Sequence, residues 1–196
     1  MKIEKWTDVP GWTCPRLIDL YEEIAGLYTS GTFVEVGVAY GRSLAFMATK
    51  AGSSVRLIGV DIFQAFMGGD NLHPDQFGML KAYRTPMAAA WGMLEKVGAA
   101  SRVELVQGKS ADVAKILDAQ ADFVFIDAHH EYDSVREDIL AWLPKVKRGG
   151  VIAGHDINGH YPGVGQAVRE VLPQAEVRDP APGENGWGGV WVHRVG

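Results

Sequence analysis

Hydrophobic and polar positions along this chain follow two alternating rhythms. Leu17, Leu20, Tyr21 and Ile24 recur at helical spacing behind Thr13, which is placed to cap a helix over about Cys14–Leu27, with Gly31 beyond its end. A β-branched and aromatic run, Thr32–Val36, follows with one acid inside it, and then a helical stretch over Ser43–Lys50. Short apolar runs predict further strands at Val55–Val60, Val103–Val106, Phe123–Ile126 and Val151–Ala153. Thr85 as cap and Pro86 at the first position open a helix with Met87, Trp91 and Leu94 on one face. Val135, Ile139, Trp142 and Val146 form the stripe of a helix over Tyr132–Val146, which Lys147-Arg148-Gly149-Gly150 would end.

Strands separated by helical patterns predict a parallel, doubly wound α/β sheet. Two last strands, about Ala175–Arg178 and Gly188–Arg194, have only the turn at Pro180–Gly183 between them, which predicts an antiparallel edge pair. No repeat or linker divides the chain. One domain over residues 1–196 is expected, with an N-terminal helical segment at about 1–31. The stretch after the second strand is longer than a crossover needs, and Gly68–Pro74 within it reads as loop. Residues 62–85 are therefore either a lid over a site or a solvent loop or dimer contact.

Composition acts mainly by exclusion. The 196 residues carry a net charge of −5, which leaves no basic footprint for nucleic acid. No apolar run is long enough to span a membrane. Met1–Trp6 lacks the apolar core of a signal peptide, so the expected location is cytoplasmic. Cys14 is the only cysteine, which excludes an internal disulfide or a thiolate zinc cluster. A homo-oligomer is left open.

Chemistry concentrates where strands end. Gly37 and Gly41 form a strand-to-helix turn that lets the backbone approach a ligand, at the sheet edge where open α/β folds bind small molecules. The spacing Gly-x-x-x-Gly, with Glu35 two residues before it, suits an ammonium or sulfonium ligand better than the pyrophosphate of a dinucleotide. Asp61 ends the second strand, where an acid can accept both hydroxyls of a ribose. Asp127 and Asp156 follow the fourth and fifth strands. Each acid alone could simply cap the next helix, but four at one edge are harder to assign to capping.

Glu35-Val36-Gly37 with Gly41 and Ser43, then Gly59-Val60-Asp61, Phe125–Tyr132 and Gly149–Asp156 together resemble a class I S-adenosylmethionine-dependent methyltransferase. The last two motifs, with Pro162-Gly163-Val164 after them, are similar to the small O-methyltransferase branch that includes macrocin O-methyltransferase-like and catechol O-methyltransferase-like enzymes. The resemblance implies a Rossmann-like, seven-stranded sheet, mostly parallel with an antiparallel last strand. It implies that Glu35, Gly37, Tyr40, Gly41 and Ser43 hold the methionine end of the cofactor and Asp61 with Ile62 the ribose. Gly108, Lys109 and Ser110 would meet the adenine, with Asp127 and Ala128 also at the cofactor.

In the metal-dependent members the ligand positions match Asp127, His155 and Asp156, and a general base stands at the position of His130. Neighbouring strands lie about 4.8 Å apart, so two carboxylates at their ends repel unless a proton or cation sits between them. A hard cation such as Mg²⁺ suits oxygen ligands, whereas an imidazole at His155, where an oxygen ligand is usual, favours Zn²⁺, Mn²⁺ or Fe²⁺. A histidine near its ordinary pKa of about 6.5 can take a hydroxyl proton at neutral pH. His129 and His160 are weaker candidates, and Tyr161-Pro162-Gly163 is placed to line an acceptor pocket. Phe63, Phe66, Phe77 and Tyr83 either line that pocket or belong to the core.

The leading expectation is a metal-assisted O-methyltransferase acting on a small hydroxylated acceptor. The alternatives are a metal-independent methyltransferase acting on oxygen or nitrogen, a two-His-one-carboxylate oxygenase using His130, His155 and Asp156, and a cofactor-binding module without catalysis.

Overall fold

The computed structural model describes residues 4–11, 13–64, 82–118, 120–180 and 188–196. Seven strands form one sheet: β1 (Ser30–Val36), β2 (Ser54–Asp61), β3 (Val103–Gln107), β4 (Ala121–Ile126), β5 (Val146–Ile157), β6 (Glu176–Arg178) and β7 (Gly189–Arg194). Their order is β3-β2-β1-β4-β5-β7-β6. The first five are mutually parallel, and β7 runs antiparallel to both β5 and β6. The expected seven-stranded, Rossmann-like sheet is therefore present. The order reverses at β1 and β4, which places a crevice at their carboxyl ends.

Six described helices cover the sheet: α1 (Pro15–Leu27), α2 (Arg42–Lys50), α3 (Pro86–Lys96), α4 (Ser110–Ile116), α5 (Tyr132–Trp142) and α6 (Pro162–Val171). Strand alternation assigns the two faces. Phe33, Leu57, Phe123 and Phe125 pack toward α1, α2 and α3, while Val34, Val36, Ile58 and Ile126 pack toward α4, α5 and α6. Tyr21 of α1 meets Phe123 and Phe125 edge-on, with ring centroids 5.8 and 5.1 Å apart. Among the described residues no helix is long and apolar enough to cross a membrane.

Several local expectations change. Cys14 caps α1 in place of Thr13, its sulfur accepting the Leu17 N–H at 3.4 Å. The helix expected to reach Val146 ends at Trp142, because Pro144 has no N–H to continue it; a 3₁₀ turn, Leu143–Lys145, leads directly into β5. The glycines expected as a helix stop lie inside β5, where Gly149 takes φ +79° and donates to Val195 O. β5 itself is far longer than the expected Val151–Ala153. Trp91 is exposed, and α3 buries Ala90, Met93 and Leu94. Pro162, expected beside an acceptor pocket, is the first residue of α6. Phe63 and Tyr83 belong to the core or pack against it. Phe66, Phe77 and most of the expected 62–85 lid lie outside the described residues, as does most of the Pro180–Gly183 turn.

Candidate active site

The loop after β1 is built on backbone conformations that most residues avoid. Gly37 and Gly41 have φ of +93° and +82°, and Ala39 between them has φ +47°. A Cβ on Gly37 would fall on the carbonyl oxygen of Asp127, so β1 and β4 can converge only because that position is bare. Asp61 holds the loop in this shape. Its Oδ2 accepts the N–H groups of Val38 and Ala39 at 2.9 and 3.0 Å, and its Oδ1 accepts that of Phe63 at 2.7 Å. A carboxylate offers about four acceptor sites, so capacity for a further donor remains after these three.

Glu35 lies between β1 and the helices α1 and α2, only 3% exposed. Tyr21 donates to its Oε2 at 2.8 Å and Ser43 to its Oε1 at 2.7 Å. Burial pushes its pKa up to about 8, against the opposing pull of the Ser43 and Tyr21 hydrogen bonds. Its two hydroxyl donors fix the carboxyl group at the base of the glycine loop. Tyr40 is buried in the same loop.

The adenine-side candidates are stitched to the loop. Gly108 N–H donates to Asp61 O at 2.9 Å, and Gln107 Nε2 donates to Ile62 O at 3.0 Å. Ile62 itself is exposed. Ser110 opens α4 and accepts the Trp142 indole N–H at 2.8 Å. Asp138, buried beside it, has its pKa raised to about 6 by burial, with the Ser110 hydrogen bond opposing.

At the other end, β5 carries an irregularity. Gly154 pairs with Trp191 and Ile157 with Gly189, so three steps on β5 match two on β7. The extra residue is a bulge at His155–Asp156, with Asp156 at φ +61°. Gly188 packs against it so closely that a Cβ there would collide with the Asp156 backbone. The bulge turns Asp156 toward the end of β4. Asp127, His130 and Asp156 each offer an atom within 4.8 Å of the other two. His130 Nε2 lies 2.8 Å from Asp156 Oδ2 and 3.8 Å from Asp127 Oδ1. His155 reaches the same carboxylates from the buried side, its Nδ1 3.4 Å from Asp156 Oδ1 and 3.9 Å from Asp127 Oδ2. The ring of Tyr161, immediately before α6, stacks on His130 with centroids 4.0 Å apart. His129 and His160 are exposed, and Ala128 is half-buried.

The histidines supply the positive charge that lets two acids stand together. Burial pulls His130 down, but the carboxylates of Asp127 and Asp156 outweigh it and set its pKa at about 9. For His155 burial again acts downward, and Asp156 and Cys14 raise it to about 11. Burial opposes ionisation of Asp156, yet the two imidazoles hold its carboxyl well below the usual range. Each histidine binds its proton more tightly folded than unfolded. That stabilisation is fully present below about pH 6.5 and drains away as pH rises through about 9 and 11. Asp156 works in the opposite sense, its share being lost as pH falls below the ordinary carboxylate range. Urea unfolding at a series of pH values should show an alkaline loss of about 2 kcal/mol, discounted for the partial exposure of His130, that is much flatter in Asp156→Asn.

Sequence reading missed Cys14, Tyr21 and Asp138. Tyr21 was visible only as one more residue on an apolar helix face. Neither Cys14 nor Asp138 carries a local motif.

Comparison with known proteins agrees with this fold. A family model described as a methyltransferase domain matches residues 34–157, from β1 to the end of β5. No curated protein sequence matches the chain. Among solved structures, the chain is similar to the O-methyltransferase TomG from Streptomyces achromogenes, involved in tomaymycin synthesis and solved with SAM. The TM-score is 0.67 at 19% identity, covering 95% of this chain and 82% of that one. An O-methyltransferase from Bacillus cereus in complex with SAH gives 0.64 at 16%, covering 95% and 84%. An rRNA methylase from Streptococcus thermophilus gives 0.62 at 13%, covering 91% and 94%. At such identities the likeness establishes the fold, and the family match establishes the kinship.

Proposed function

The chain belongs to the methyltransferase-domain family, and from that premise we propose that it is an S-adenosylmethionine-dependent O-methyltransferase for a small hydroxylated acceptor, with a divalent cation held by Asp127 and Asp156. The observation that carries this is the meeting of Asp127, His130 and Asp156 within 4.8 Å, at the sheet edge that also bears the Gly37–Gly41 loop and Asp61. Two carboxylates are fitting oxygen donors for Mg²⁺, Mn²⁺ or a related hard ion, which leaves the His130 imidazole free to act as a base. The net charge of −5 favours a small acceptor over nucleic acid. The two-His-one-carboxylate reading loses ground, because the converging group holds two carboxylates and one imidazole.

The cofactor, when bound, supplies an electrophilic methyl group on a sulfonium. The loop with Tyr40, Gly41 and Ser43 would hold its methionine end, Asp61 with Ile62 its ribose, and Gly108–Ser110 its adenine, with Ala128 beside Asp127. A divalent cation, when bound, makes an acceptor hydroxyl more acidic. The remaining work falls to the chain. His130 accepts the hydroxyl proton, and the carboxylates of Asp127 and Asp156, 3.8 and 2.8 Å from its Nε2, steady the imidazolium that results. Tyr161 covers one face of the His130 ring and holds its orientation. His130 starts neutral only once other positive charge has replaced its proton between the carboxylates. In-line approach of hydroxyl and methyl group demands rigid placement, which the strand ends provide.

One observation favours a second reading without metal. Two imidazoles, His130 at 2.8 Å and His155 at 3.4 Å from Asp156, already stand against the carboxylates as counter-groups. Full methyl transfer after exhaustive chelation would select that reading, with Asp127 orienting the acceptor. The cofactor assignment is tested by calorimetry with SAM and SAH. Binding by the wild-type chain is expected, weakened at least about tenfold in Asp61→Ala, where the loop loses its brace. Absence of binding of either compound by the wild-type protein would end the proposal.

A further inference from the structure

The thiol of Cys14 has no part in the chemistry above, yet it touches the site. It caps α1 and lies 3.1 Å from His155 Nε2, across 141 residues of sequence. Both side chains are buried, at 4% and 8% exposure. The opposite edge of the same ring, at Nδ1, faces Asp156 Oδ1 at 3.4 Å. The second oxygen of Asp156 pairs with His130 Nε2 at 2.8 Å. Thiol, imidazole, carboxylate and imidazole thus form one continuous line from the start of α1 to the stacked Tyr161.

Asp156 needs such support. It sits on a bulge in a left-handed backbone conformation, where the sheet ladder does not fix its direction. A buried imidazole turned the other way would lose the sulfur at one edge and the carboxylates at the other. We propose that Cys14 is a positioning residue, which holds the His155 ring in the orientation that presents Nδ1 to Asp156 and so fixes the Asp156 carboxylate against His130. The inference rests on the reading of this corner as the acceptor end of a methyltransferase site. Outer partners of this kind commonly decide how well a donor group is aimed.

The test uses ¹⁵N-histidine-labelled, cofactor-free protein, with the ring N–H signals of His155 and His130 assigned through single His→Gln variants. In the wild type a protected His155 Nε2–H signal is expected. Cys14→Ala should abolish it and also shift the His130 ring signals, although His130 makes no contact with Cys14. Cys14→Ser, which keeps a polar partner but not the volume, should restore both. Cys14→Val, which keeps volume but no partner, should restore neither. The proposal is overturned if Cys14→Ala leaves the His130 signals in place, or if valine restores them and serine does not, since that pattern belongs to packing alone. Loss of the cofactor assignment would be seen separately, as failure of the wild-type protein to bind SAH, and would leave the ring signals unaffected.

Discussion

Gly37→Ala is expected to abolish cofactor binding and to leave the protein close to unfolding. At φ +93° an alanine is strained before it meets anything, and the new Cβ would fall on the Asp127 carbonyl oxygen. Backbone oxygen at that place cannot swing aside as a flexible side chain could. Relief requires β1 and β4 to part, which breaks the hydrogen bond from Asp127 N to Val36 O, 2.8 Å in length. Conformational strain of about 1–3 kcal/mol and a comparable overpacking cost together reach about 4 kcal/mol, a large part of a typical domain's stability. Urea unfolding should show the loss, and SAH calorimetry at low temperature should detect no binding even where the variant remains folded. A variant with wild-type affinity would mean that the loop is only a connector.

Asp156→Ala is expected to lower methyl transfer by about 10²–10⁴-fold, the range for removing a positioned acid–base partner. The substitution takes away the closest partner of His130 and one of the two carboxylates that face His155. It also removes one of the two carboxylates proposed to hold the cation, so Mn²⁺ binding followed by calorimetry should weaken with activity. Binding of SAH should survive, because the residues assigned to it lie at or just beyond the carboxyl ends of β1, β2, β3 and β4, and none lies on the β5 bulge. Turnover is read as SAH release over a panel of hydroxylated acceptors. If activity and Mn²⁺ affinity both persist, Asp156 is a bystander, and the acceptor end must be sought elsewhere along the edge.

The strands and the glycine loop were legible because local pattern determines them. β-Branched runs such as Thr32–Val36 have few conformations to choose from, and Gly37 and Gly41 mark backbone that other residues resist. The fold class and the placement of acids at strand ends followed from that. What escaped was decided by contacts distant in sequence. Nothing near Cys14 announces His155, and nothing near Tyr21 announces Glu35; both pairs exist because α1 lies over the carboxyl ends of β1 and β5. The early end of α5 was readable in principle from Pro144, but the apolar stripe through Val146 masked it. The bulge in β5 left no trace in the pattern, since its extra residue shows only against the register of β7.

That one-residue detour separates the site from the scaffold that carries it. On either side of His155–Asp156 the ladder with β7 resumes, and Ile152 and Ile157 remain in the core. Donor groups at the two bulged positions can therefore be exchanged during descent, acid for imidazole or the reverse, without disturbing a single rung of the ladder. A lineage with this device can retune the chemistry of the strand end through side-chain replacement alone, while Gly188 holds the detour in place from behind.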